Sequence, residues 1–183
     1  MKRTASMFAL LVLLSTVSAQ HVEPWSATRE LRMKEASRLH DKLAAMYKQV
    51  PELSPAEQKW LDGELNSGNG KINERYVRAT DSQEYAISTA KSGLAALVIP
   101  LNNLGSLKLA CKDEVVQWAE VASRLQDSQL WRSVDSLVER KVISEKSAQD
   151  FGHSFLAANA SLRSQAILDG VVVPYLKGEL NCQ

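Results

Sequence analysis

Apolar side chains recur at alternating steps of three and four residues along most of this chain, and that periodicity restricts the fold to helices packed on helices. Ala36, Leu39, Leu43, Met46 and Val50 form the first such stripe, on a helix expected to begin near Ser26 and end before Pro51. Arg38, Asp41, Lys42 and Lys48 occupy its opposite face, which should be wet.

Ser54-Pro55-Ala56-Glu57 reads as a helix start: a hydroxyl to cap free amides, a proline where no donor is needed, and a glutamate three residues on. The short helix that follows should run through Trp60, Leu61 and Leu65. Asn66-Ser67-Gly68-Asn69-Gly70 interrupts it, because glycine and asparagine tolerate positive φ and disfavour helix. From about Lys71, Ile72, Tyr76, Ala79, Ile87, Ala90, Leu94 and Leu97 keep a helical period up to Pro100, where a stop is expected. Leu104, Leu107, Cys111, Val115, Trp118, Ala122 and Leu125 trace another stripe, with Cys111 on its buried side.

Ser128 is positioned to open a helix that buries Trp131, Val134, Leu137 and Val138, and Val142-Ile143-Ser144-Glu145 reads as a turn and a new cap. Ala148, Phe151, Phe155, Ala158, Leu162 and Ala166 make the last stripe. Val171-Val172-Val173-Pro174 is read as a break between Gly170 and a final turn through Tyr175 and Leu180. No hairpin signal and no fixed repeat occurs. The expected fold is all-α: an antiparallel helical bundle of about six helices with one disulfide.

The first residues follow a different rule. Lys2-Arg3, the eight-residue apolar run Met7 to Leu14 and the small side chains Val17-Ser18-Ala19 have the three-part pattern of a secretory signal peptide. Cleavage is expected between Ala19 and Gln20. Residues 1–19 would then leave the fold, and residues 20–183 would form a single helical domain with no transmembrane anchor, since a span needs about twenty apolar residues. About 164 residues suit one core. The expected location is the bacterial periplasm or the extracellular space. In that oxidising setting the two cysteines, Cys111 and Cys182, are expected to pair; closing a loop of about seventy residues would stabilise the fold by roughly 4 kcal/mol.

With 22 basic and 21 acidic residues the net charge is +1, without the basic excess of a nucleic-acid binder. His21, His40 and His153 lack any metal-binding or haem-attachment spacing, so no metal or other cofactor is assigned. There is no G-x-S-x-G, and carboxylates such as Glu57, Asp62, Glu64, Asp81, Glu84, Asp113 and Glu114 read as a solvated helix face, so no catalytic residue is assigned. Asn159-Ala160-Ser161 matches a glycosylation sequon but falls within an expected helix. Trp25, Tyr47, Tyr85 and Trp131 lie beside their stripes or near caps and form the candidate interaction surface, with core-covering boundary residues as the competing reading. Together these features point to an exported, non-enzymatic protein-interaction module such as an inhibitor, immunity-type protein, adaptor or chaperone. The alternative is a small helical enzyme or ligand-binding protein of the cell envelope.

Overall fold

The computed structural model describes residues 29–106, 109–146 and Lys177. The signal peptide with its Ala19–Gln20 junction, Trp25, His153, Cys182 and the segments expected from Ala148 onward lie outside these residues. The described part is all-helical, with α1 (Arg29–Gln49), α2 (Pro55–Leu65), α3 (Glu74–Thr80), α4 (Gln83–Ser106), α5 (Cys111–Leu125) and α6 (Ser128–Glu139). No described helix is long and apolar enough to cross a membrane.

Helix α4 is the hub, with α1, α5 and α6 packed directly on it. Its face Ile87, Ala90, Leu94, Leu97, Leu101 and Leu104 is buried against the α1 stripe Ala36, Leu39, Leu43, Met46 and Val50. Each fully buried leucine contributes about 1.5–3 kcal/mol relative to exposure, so these stripes dominate the stability of the pair. Two contacts fix the direction. Lys91, early in α4, donates to Val50 O just past the end of α1 at 2.9 Å, whereas Gly105, at the end of α4, faces Ser37 in the first half of α1. The two helices are therefore antiparallel.

A Cβ on Gly105 would lie 2.7 Å from Ser37 Oγ, and one on Gly93 would lie 2.7 Å from Leu130 Cδ1. The missing side chains let α1 and α6 approach α4 closely. Helix α6 runs antiparallel to α4: Leu130, at its start, faces Gly93, whereas Arg140, just past its end, donates at 2.8 Å to Asp81 O, just before α4 begins; Gln129 also bonds to Tyr85.

Two expected boundaries move. Pro100 does not end a helix; it is buried inside α4, which continues to Ser106 and so takes Leu104 out of the stripe expected to run to Leu125, whose helix α5 begins only at Cys111. An internal proline costs about 3 kcal/mol, but Leu97, Leu101 and Leu104 on either side are 0%, 0% and 3% exposed, and their burial on one continuous face offsets it. The helix expected from Lys71 to Pro100 is instead two. Asp81 ends α3, and the Ser82 hydroxyl accepts from Tyr85 N at 3.1 Å at the start of α4.

Elsewhere the local signals give the structure they imply. Ser54 and Glu57 form the reciprocal capping box, with Ser54 N donating to Glu57 Oε2 at 2.7 Å. The Ser54 hydroxyl and amide hold the Glu57 carboxyl below the usual carboxylate range. Asn69 and Gly70 take φ of 47° and 83° in the turn after α2. Helix α6 is capped by Asp127 one residue before Ser128, with Asp127 Oδ1 accepting from Gln129 N at 2.8 Å. A turn follows at 140–143, with Ile143 buried, and the chain is helical again at 145 and 146.

Candidate functional site

Two carboxylates expected on wet faces are buried. Glu114 on α5 is 3% exposed and accepts from Arg32 Nε of α1 at 2.9 Å, while Arg29 Nε stands 3.5 Å from its other oxygen. This cluster ties α5 to α1, and Arg29 Nη2 adds a 2.8 Å bond to Leu109 O. Glu64 on α2 is 6% exposed. Arg75 and Arg78 of α3 donate to its two oxygens at 2.7 and 2.6 Å. Those hydrogen bonds, Arg75 first, push the Glu64 carboxyl down to about 2. Both glutamates are consumed in structural ion pairs and neither is placed as an acid or base.

The Glu64 clamp makes α2 and α3 a hairpin. Ser67 Oγ donates to Glu64 O at 2.7 Å, and Asn73 caps α3 by accepting from Tyr76 N at 2.9 Å. Only Leu61, Glu64 and Ala79 of this hairpin's helices are buried. Three large apolar residues between positions 60 and 77 are exposed: Trp60 by 38%, Ile72 by 78% and Val77 by 46%. The other exposed large apolar residues among those described, Leu31, Ile99 and Val116, sit one each on α1, α4 and α5. Among the described residues the hairpin is therefore where exposed apolar surface concentrates.

The expected surface aromatics separate. Trp131 is buried, and its Nε1 donates to Leu125 O at 2.8 Å. It covers the core between α5 and α6 and satisfies its one polar atom, which corrects its assignment to the interaction surface. Tyr47 lines a groove of about 510 Å³ formed with Pro51, Leu53, Pro55, Ile87 and Ala95. Lys91 Nζ lies 4.1 Å from the centre of the Tyr47 ring and pairs with Glu52 at 2.7 Å. Because Lys91 also bonds the carbonyls of Tyr47 and Val50, its charge is spent on the end of α1. Tyr85 lines a second, more polar cleft of about 680 Å³ between the start of α4 and α6.

Ser37, His40 and Asp41 share a smaller hollow of about 260 Å³. His40 Nδ1 lies 3.1 Å from Asp41 Oδ1, but among the described residues no hydrogen bond joins Ser37 to His40. The residue types of a nucleophilic triad are present without the contact that activates the serine. Among the described residues no group of three or more His, Cys, Asp or Glu side chains is placed to hold a metal ion. Cys111 is half-buried at the first position of α5, and its expected partner Cys182 lies outside the described residues.

Comparison of the chain with family models, curated proteins and solved structures returns no match.

Proposed function

We propose that this protein is an exported, non-enzymatic interaction module that engages a protein partner through the α2–α3 hairpin. The observation that carries the reading is that Trp60, Ile72 and Val77 are all exposed on one hairpin, whose own fold is secured by the Glu64–Arg75–Arg78 clamp. Exposed tryptophan and aliphatic residues on a preorganised support have the composition of interface anchors, because little conformational entropy is lost on docking. Export rests on the pattern of residues 1–19, and the periplasm or extracellular space is the proposed location. A Cys111–Cys182 bridge belongs to the same proposal, since it would hold the C-terminal end to the start of α5.

A photo-crosslinking amino acid placed at Trp60, Ile72 or Val77 in the native host tests this reading. The same adduct band from all three positions, absent when the probe replaces exposed Val116, is expected. Adducts from position 116 alone, or none from the hairpin, would remove it.

A further inference from the structure

The cleft between the start of α4 and α6 differs from the hairpin in chemistry. On α6 the residues Gln129, Arg132, Ser133, Ser136 and Arg140 recur at helical spacing along one side and line the cleft, opposite Ser82 and Tyr85. The two ends are closed by internal bonds. Gln129 Nε2 donates to Tyr85 Oη, and Arg140 donates to Asp81 O at 2.8 Å and to Ser136 Oγ at 3.1 Å. Between them Arg132 makes no hydrogen bond or ion pair with any described residue. Ser133, next to it, is 6% exposed, and its hydroxyl likewise has no partner among the described residues. Although the residue is largely covered, its hydroxyl is not sealed from solvent, so it opens to the cleft and is available to a ligand there.

Several of the groups left over can donate into the cleft. The hydroxyls of Ser82 and Ser136 already accept, from Tyr85 N and Arg140 Nε, so each has its proton to give outward. Ser128 at the start of α6 adds a hydroxyl beside the positive end of that helix's dipole. Among the described residues Asp81 is the one carboxylate lining the cleft. A volume of about 680 Å³ lies within the range of small-molecule sites. We infer that this cleft binds a phosphate group carried on a small polyol, with Arg132 and the Ser133 hydroxyl on the phosphate oxygens and the remaining hydroxyls on the polyol. A planar guanidinium flanked by hydroxyl donors matches the geometry of a phosphate oxyanion.

Isothermal titration of the full chain with a hexose phosphate, inorganic phosphate and the uncharged hexose tests the inference. The hexose phosphate should bind, inorganic phosphate should bind more weakly, and the hexose alone should give no heat. Arg132→Gln should weaken binding about tenfold or more, the loss of one charge-assisted hydrogen bond. Ser133→Ala should weaken it severalfold without lowering Tm, because the hydroxyl it removes has no partner among the described residues. No heat from either phosphate, or affinity unchanged in Arg132→Gln, would overturn the inference; equal affinity for inorganic phosphate and hexose phosphate would overturn its polyol part.

Discussion

Replacing Glu114 with leucine should be among the most damaging single changes available in the described part of the molecule. Arg32 is 5% exposed and Glu114 3% exposed, with 2.9 Å between Nε and Oε1. Removing the carboxylate takes away the charge 2.9 Å from the buried Arg32 Nε, and breaking a buried ion pair of this kind costs about 3–5 kcal/mol. For a chain of this length each kcal/mol moves Tm by about 2–4 °C, so Glu114→Leu should lower it by about 6–20 °C. The pair Arg32→Met with Glu114→Leu removes both charges and lets two apolar side chains pack in their place; it should recover most of the loss, with a coupling energy of at least about 2 kcal/mol. Arg29, at 31% side-chain exposure and bonded to Leu109 O, does not need Glu114 in the same way. Urea and thermal unfolding followed by far-UV circular dichroism measure Glu114→Leu, Arg32→Met and the double variant. A Glu114→Leu protein within about 1 kcal/mol of wild type, or a double variant as unstable as the sum of its parts, would refute the assignment of this pair as the tie between α1 and α5.

The remaining predictions concern the hairpin, the crossing points and the ends of the chain. The Glu64 carboxyl sits near 2 in the folded protein against an ordinary 4.5, so its clamp contributes fully above about pH 4.5 and is lost as pH falls toward 2. Acid titration should therefore loosen the α2–α3 hairpin across that window in wild type, and the Glu64→Gln protein should show no such step when amide exchange of residues 55–80 is followed. A Cβ on Gly68 would run into the Lys71 carbonyl, so Gly68→Ala should destabilise the same hairpin while leaving exchange in α4 unchanged. At the α4–α6 crossing, Gly93→Val must displace Leu130 and should cost about 1–3 kcal/mol in urea unfolding. Protein recovered from outside the cytoplasm should begin at Gln20, and its intact mass should fall by about two hydrogens relative to the reduced form if Cys111 and Cys182 are joined.

Much of the fold was legible because its rules are local. The α1 stripe, the Ser54–Glu57 box and the positive-φ turn at Asn69 and Gly70 each depend on residues within a few positions of one another. What was not legible depends on partners far along the chain. Glu114 meets Arg32 across 82 positions, and nothing near Glu114 distinguishes it from the exposed Asp113. Pro100 looked like a terminator because the expected stop weighs the lost hydrogen bond and not the burial of Leu101 and Leu104 beyond it. Trp131 could be a surface or a core residue on spacing alone, and only the Leu125 carbonyl within reach of its indole decides the matter. The phosphate cleft did leave a trace, the polar spacing Gln129, Arg132, Ser133, Ser136 and Arg140, but it reads as an ordinary solvated face until the start of α4 is placed opposite it.

Partner capture by the hairpin is the central claim, and one comparison tests it most directly. Tagged full-length protein and a Trp60→Ala, Val77→Asp variant are expressed in the native host and purified from the exported fraction, and the co-purifying proteins are quantified by mass spectrometry. Trp60 is 38% and Val77 46% exposed, so the variant's melting temperature is measured beside the wild type and the comparison is made where both are folded. The account predicts that a defined partner recovered with the wild type falls at least tenfold with the variant. An equally stable variant that retains every wild-type partner, or a wild type that purifies alone, would contradict it.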